Sequence, residues 1–168
     1  QHYHLRLTRD LEQARSYLRE RYAKHPEARF GMLASSRDRD LLSFGIPNDY
    51  QSTKRVRYGP WYADPEESPS SCPRLAEAVT EFGAQGLELD AVLLAWGTDL
   101  MREEGAWTNR RARPYKRGSG VRDPLRLRLN AYRVLLTRGR DATVVFLPPL
   151  AELDETFAFL EEAGFRRL

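Results

Sequence analysis

Two continuous apolar runs constrain the fold of this chain more than any other feature of its sequence. DAVLLAWG occupies residues 90–97 and ATVVFLP occupies residues 142–148. Each run has the length of a strand and lacks the polar alternation of a strand that faces water on one side. Such runs are typical of strands buried on both faces of a parallel sheet. The sequence therefore predicts a central, mainly parallel sheet with helices on both sides.

The segments around these runs supply the other layers. Strand-forming residues predict a strand at 2–8 and another at 28–35, with short strands near 55–58 and 79–82. Apolar residues at helical spacing predict helices at 9–24, 125–136 and 153–165. The resulting order, β-α-β-loop-β-β-α-β-α, indicates an α/β domain of three layers.

The chain is long enough for one such domain, and we expect residues 1–168 to form a single unit with a substantial core. A hydrophobic content of 41% with 30% charged residues is typical of soluble globular proteins. Residues 45–73 hold five of the ten prolines and are expected to form a long irregular connection. Connections of this length are usually functional or mobile.

Several classes of protein are excluded by composition. No apolar run approaches the roughly 18 residues of a membrane helix, and no signal peptide opens the chain. Cys72 stands alone, which excludes an internal disulfide and favours a reducing, cytoplasmic compartment. One cysteine and three scattered histidines predict no zinc cluster, and we expect no metal-binding residues. The chain begins at Gln1 without a methionine, so we expect it to be a fragment of a longer protein.

Positive charge is concentrated in one segment. Residues 110–128 hold eight basic side chains and one acid, and much of this charge lies in a predicted basic insertion at 101–124. Trp107 and Tyr115 lie in or beside it. Basic residues with aromatic neighbours are typical of surfaces that bind phosphate backbones. A solvated loop without a specific partner remains the alternative.

The common catalytic motifs are missing from the sequence. It contains no GxxxxGK[ST], GxGxxG, GxSxG or HExxH. The chain therefore lacks a P-loop and is not expected to be a complete enzyme by itself.

The block TEFGAQGLELD at 80–90 carries candidate chemistry. Gly83 and Gly86 allow tight turns and a close approach of the backbone to a ligand. Glu88 follows at a strand edge, where its carboxylate can accept hydrogen bonds from hydroxyls such as those of a ribose. Spacing alone leaves open the alternative that Glu88 and Asp90 are surface acids beside a strand.

A second candidate lies between the helix at 125–136 and the following strand. Arg138 carries a planar guanidinium that stays charged and suits phosphate oxygens. The alternative is an arginine that interacts with the carboxyl end of its own helix, where the helix dipole favours positive charge.

The two blocks together resemble motifs V and VI of superfamily 1 helicases. Within these, the sequence looks like the Schlafen-type (group 3) DNA/RNA helicase-domain family of bacteria. The resemblance covers residues 70 to about 149, and residues 1–69 fit by element order alone. The matching elements are Thr80-Glu81-Phe82, residues 85–90, Trp96 with Asp99-Leu100, Trp107 with Arg110 and Arg111, residues 130–138 and residues 145–148.

The resemblance implies a RecA-like fold and a role for each block. Such an ATPase has two RecA-like domains with ATP and Mg²⁺ between them, and this chain matches the second domain. Arg138 would be the arginine finger that reaches the γ-phosphate. Gln85 and Gly86 would line the γ-phosphate side of the cleft, and Glu88 would lie near the ribose.

The implied partners are an N-terminal RecA-like domain of the same protein and single-stranded nucleic acid. The residues assigned to the nucleic-acid track are Thr80, Trp107, Arg110, Arg111 and Arg113.

Three hypotheses follow. The leading one is the second RecA-like domain of an ATP-dependent DNA or RNA helicase or translocase. The alternative is a nucleic-acid-binding module that uses the same fold without ATP. A third, weaker hypothesis is a nuclease or phosphatase that uses Asp90, Asp99 and Glu103, although these acids lack convincing metal spacing.

Overall fold

The computed structural model describes residues 3–168, which form both helices and strands. In chain order the elements are β1 (His4–Thr8), α1 (Leu11–Tyr22), β2 (Phe30–Ala34), α2 (Tyr50–Arg55), α3 (Tyr58–Ala63), β3 (Ala78–Val79), β4 (Leu89–Ala95), β5 (Met101–Glu103), β6 (Ala106–Thr108), α4 (Pro124–Leu136), β7 (Gly139–Phe146), α5 (Asp154–Glu162) and β8 (Arg166–Arg167).

Six strands form one sheet in the order β3-β2-β4-β7-β1-β8, and all of its pairings are parallel. The two apolar runs become β4 and β7, which lie next to each other at the centre. Residues 91–95 of β4 and 142–146 of β7 are buried, as strands covered on both faces must be. The sheet confirms the predicted mainly parallel architecture.

Helices cover both faces of the sheet. Ala14 and Leu18 of α1 pack on one face with Ala91 and Leu93 of β4. The other face of β4 packs in a second core that includes residues of α4 and α5. This arrangement confirms the three-layer α/β fold and is consistent with a RecA-like domain.

Side chains at the helix starts account for two of the helix positions. Asp10 accepts hydrogen bonds from the backbone nitrogens of Glu12 and Gln13 at 2.9 and 3.1 Å and so begins α1. Asp123 accepts from the backbone nitrogen of Arg126 at 2.9 Å, and Pro124 follows at the first helical position of α4. Asp123 and Pro124 fix where α4 starts, and therefore which of its residues face the core.

Some sequence-based expectations were wrong in detail. No strand is present near residues 55–58, because α2 ends at Arg55 and α3 begins at Tyr58. Asp49 accepts from the backbone nitrogen of Ser52 at 3.1 Å and so starts α2 where an irregular connection was expected. The antiparallel hairpin of β5 and β6 and the short β8 were not predicted. The predicted first strand is present from His4, and its residue His2 lies outside the described range.

Among residues 3–168, no helix combines the length and the apolar character that crossing a bilayer requires.

Candidate functional site

The two predicted nucleotide-binding blocks meet at one edge of the sheet. β4 and β7 are parallel neighbours that begin together, with Leu89 opposite Gly139. The backbone nitrogen of Leu89 donates a hydrogen bond to the backbone oxygen of Arg138 at 2.9 Å. Glu88 and Arg138 therefore lie side by side where the two strands start, which we call the amino edge. Ligands of open α/β sheets more commonly bind at the opposite, carboxyl edge.

Arg138 makes the contact with its own helix that the sequence left open. Its Nε donates to the backbone oxygen of Val134 at 3.0 Å, and one terminal nitrogen donates to the Thr137 hydroxyl at 3.3 Å. Among the described residues, Arg138 forms no ion pair, and its Nη1 donates no hydrogen bond. The guanidinium is thus anchored through Nε, while a terminal nitrogen remains available to an anion.

Gln85, Gly86 and Glu88 are exposed in the turn that leads into β4. Gly86 has a φ of +80°, the left-handed conformation that glycine adopts without strain, and this confirms the predicted tight turn. Tyr62 donates to the backbone oxygen of Glu88 at 3.1 Å and holds this turn against α3. Within residues 3–168, the side chains of Gln85 and Glu88 make no hydrogen bond or ion pair. Their polar atoms are therefore free to contact a ligand.

The amino edge exposes a carboxylate and a guanidinium with complementary hydrogen-bonding chemistry. A carboxylate accepts from hydroxyls and a guanidinium donates to phosphate oxygens. The sequence has no P-loop to surround the remaining phosphates, and within residues 3–168 no cluster of His, Cys, Asp and Glu is arranged to hold a metal.

The predicted nucleic-acid residues fall into two groups. Thr80 directly follows β3 and shares a surface groove with Arg113. Trp107 lies elsewhere, on β6. Arg110 and Arg111 follow the hairpin of β5 and β6.

The side chains of the second group already have partners. The Trp107 ring stacks on Trp96 with centroids 5.8 Å apart and meets the Phe159 ring edge-on at 5.3 Å. Arg110 pairs with Glu103 at 2.7 Å. Arg111 bridges two acids, Asp40 at 3.1 Å and Glu152 at 2.6 Å. The structure therefore places Thr80 and Arg113 in one groove, while the side chains of Trp107, Arg110 and Arg111 are held by other partners. Arg110 also lines a second groove together with Arg113.

The three acids of the nuclease hypothesis do not converge. Asp90 lies at the start of β4 and pairs with Arg140, whereas Asp99 lies beyond the other end of that strand. Glu103 is on the separate hairpin and bonds Arg110. Their separation gives that hypothesis no structural support.

A buried polar cluster at the carboxyl edge was missed by the sequence analysis. Nη1 of Arg128 donates to the Ser35 hydroxyl at 2.8 Å and to Glu81 at 3.0 Å, and lies 3.6 Å from Asp99. The exposed fractions of the Arg128, Glu81 and Asp99 side chains are 4%, 6% and 0%. Tyr132, one turn further along α4, donates to Asp99 at 2.5 Å.

Burial raises the pKa values of two acids in and beside this cluster. Burial, followed by the nearby charge of Asp38, raises the pKa of Asp99 to about 6, although hydrogen bonds from Ser35 and Tyr132 oppose the shift. Asp38 itself has a raised pKa, chiefly because it is buried. One sequence signal was available, because Arg128 and Tyr132 are four residues apart and share the core-facing side of α4.

Comparison with known protein families gives one match. A family model described as Schlafen group 3, DNA/RNA helicase domain matches residues 1–149. The match extends to the first 69 residues, where the sequence analysis found no motif. Comparison with curated proteins gives no match, and comparison with solved structures gives none.

Proposed function

Because the chain belongs to the Schlafen group 3 DNA/RNA helicase-domain family, we propose that it is the second RecA-like domain of an ATP-dependent helicase or translocase. The observation that carries this proposal is the hydrogen bond of 2.9 Å between Leu89 and Arg138. It joins the starts of two central strands and so sets Glu88 beside Arg138 with polar atoms available to a nucleotide.

Arg138 would act as the arginine finger. Phosphoryl transfer builds charge on the equatorial oxygens of the transferred group, and a guanidinium stabilises that charge. The Nε bond to Val134 and the Nη2 bond to Thr137 leave Nη1 as the atom that would reach the phosphate. A side chain anchored in this way loses less freedom on reaching a ligand than one that moves freely.

Gln85, Gly86 and Glu88 would contact the same nucleotide. The Glu88 carboxylate can accept from the ribose hydroxyls, and the turn at Gly86 lets the backbone approach a phosphate closely. ATP would supply the phosphoanhydride, and Mg²⁺ would neutralise part of its charge. Residues of an N-terminal RecA-like domain would hold the metal and the remaining phosphates.

The chain alone is expected to hydrolyse no ATP, because its sequence has no P-loop. Hydrolysis by the purified 168-residue chain at a rate typical of helicases would contradict the proposal.

The finger is tested in the full-length protein with Arg138→Ala and Arg138→Lys. We expect kcat for ATP hydrolysis to fall at least about 10³-fold in both variants, while the Kd for ATP changes by less than about tenfold. The Lys variant is the sharper one, because lysine still places positive charge at the carboxyl end of α4 but lacks the planar fork. The matched control is Arg133→Ala, an exposed arginine on the same helix.

The Arg138→Lys variant distinguishes a role of Arg138 in ATP hydrolysis from a role at the end of its own helix. Loss of hydrolysis with unchanged thermal stability in Arg138→Lys supports the finger. Retained hydrolysis in that variant assigns Arg138 to its own helix, whereas a wild-type full-length protein that binds nucleic acid but hydrolyses no ATP favours the nucleic-acid-binding module that works without ATP.

A further inference from the structure

A groove beside the carboxyl edge of β2 and β3 has an unusual composition. It encloses about 440 Å³, and six of the side chains that line it are aromatic or basic. These six, which define what we call the aromatic groove, are Arg37, Tyr50, Lys54, Tyr58, Phe82 and Arg113. No acidic residue lines it in the described part of the chain.

The three rings of the aromatic groove are open to solvent. Tyr50 is 67% exposed, Phe82 is 65% exposed and Tyr58 is 47% exposed. They make up half of the six large hydrophobic side chains with the greatest exposure among the described residues. Isolated exposed rings need no explanation, but three of them around one groove indicate a binding surface.

The groove is held in shape by buried contacts. Buried Glu81, between Thr80 and Phe82 in the chain, accepts from the backbone nitrogen of Ser36 at 2.9 Å and from Arg128. The Tyr58 ring rests on Gly83, where a Cβ would lie 2.5 Å from a ring atom. Any residue larger than glycine at position 83 would therefore displace Tyr58. These contacts position Phe82 and Tyr58 along the groove.

The basic side chains are positioned but not neutralised. Arg37 stacks on Tyr115 at 4.1 Å, and its backbone oxygen accepts from the nitrogen of Arg113 at 2.8 Å. Lys54 lies 5.7 Å from the centre of the Tyr50 ring. None of these three cations forms an ion pair within residues 3–168, whereas Arg110 and Arg111 do. The three cations of the groove thus have no acidic partner, whereas the two arginines that follow the hairpin are neutralised by acids.

We propose that the aromatic groove binds single-stranded nucleic acid by stacking bases on Tyr50, Tyr58 and Phe82, while Arg37, Lys54 and Arg113 contact its phosphates. Stacking on protein rings requires bases that are not already stacked in a duplex, so single strands are preferred. The inference rests on the proposed function for the identity of the partner, and it adds the residues that hold the strand. Tyr50, Tyr58, Lys54 and Arg37 lie outside the motifs quoted above.

Binding is measured by fluorescence anisotropy with the 168-residue chain and labelled 20-nucleotide dT and rU strands at low salt. The two strands show whether DNA or RNA is preferred. We expect Phe82→Ala and Tyr50→Ala each to weaken binding about tenfold, and Phe82→Tyr to restore it because the ring is kept. Leu42→Ala is the control, since Leu42 is 50% exposed but does not line the groove.

The phosphate contacts are tested by the salt dependence of binding. Arg113→Ala is expected to reduce the slope of log K against log salt by about 0.7. Arg117→Ala removes the same charge from the same basic segment outside the groove, so it is expected to change the slope much less.

Absence of binding to both strands would contradict the proposal, and so would equally tight binding of a duplex of the same length. Wild-type affinity in Phe82→Ala and Tyr50→Ala would contradict it as well. Equal losses in Phe82→Ala and Phe82→Tyr would also refute stacking. None of these results bears on hydrolysis, which Arg138→Lys tests separately in the full-length protein. Failure of the groove and failure of the proposed function are thus distinguishable.

Discussion

Asp99 is an ionisable side chain without solvent exposure. Its side chain is fully buried, and it accepts hydrogen bonds from Ser35 and Tyr132 while Arg128 lies 3.6 Å away. Burial, followed by the charge of Asp38, raises the pKa of Asp99 to about 6, above its ordinary value near 4. The folded state therefore binds this proton more tightly than the unfolded state, and ionising Asp99 costs folding free energy.

The pH dependence of stability follows from this sign. Below about pH 4, Asp99 is protonated in both the folded and the unfolded state, and its contribution to the free energy of unfolding is fully present. That contribution is lost as the pH rises through about 6, the pKa of Asp99 in the folded state. We expect wild-type protein to gain stability relative to Asp99→Asn when the pH is lowered from 7.5 to 4.5. Urea unfolding at the two pH values measures this difference. Glu67→Gln, an exposed acid without a partner among the described residues, is the control. A wild-type advantage that is the same at both pH values would contradict the assignment.

At the scale of elements, the β5–β6 hairpin depends on packing rather than on its own sequence. Its two strands have three residues each, too few to be stable alone. The Trp107 ring contacts Trp96, which directly follows β4, and Phe159 of α5, and so ties the hairpin to both elements. Arg102 also lies 5.4 Å from the Trp107 ring centre.

Trp107→Ala is therefore expected to destabilise the chain by about 2 kcal/mol, less than a fully buried tryptophan because the ring is partly exposed. Urea unfolding measures the loss. Arg110→Ala, which removes an exposed ion pair next to the hairpin, is expected to have a much smaller effect. Unchanged stability together with weakened nucleic-acid binding would instead support the predicted role of Trp107 in the nucleic-acid track.

The sequence predicted the elements whose burial leaves a local trace. Strands β4 and β7 are covered on both faces, so their residues must be apolar in succession. The hairpin was missed because its stability comes from rings on other elements. The expected strand near residues 55–58 failed because Asp49 caps a helix there, a polar signal that the apolar pattern does not contain.

The sequence also identified only part of the polar residues described above. The motif resemblance selected Glu88 and Arg138, but their placement at one edge depends on β4 and β7 being neighbours in the sheet. Arg128 was counted as part of a basic run, since charged residues are almost never fully buried unless they are paired. Its partner Glu81 is 47 positions away in the chain, and no local pattern links the two.

At the scale of the whole molecule, α4 connects the two edges of the sheet. Its 13 residues span about 20 Å. Arg128 near its start is held by Glu81, whose neighbour Phe82 lines the aromatic groove. Arg138 follows its end at the amino edge. A nucleic-acid strand that binds the proposed groove and shifts Phe82 would therefore act on the helix that precedes the proposed finger.

This connection is tested in the full-length protein with Glu81→Gln. Glutamine has nearly the size of glutamate but lacks the charge that holds Arg128, so movement of Phe82 is transmitted less well to α4. We expect nucleic acid to stimulate ATP hydrolysis at least about fivefold less than in the wild type, with little change in hydrolysis without nucleic acid. Glu66→Gln, an exposed acid, is the control. If stimulation and nucleic-acid affinity both stay at wild-type levels, α4 does not couple the two edges through this ion pair.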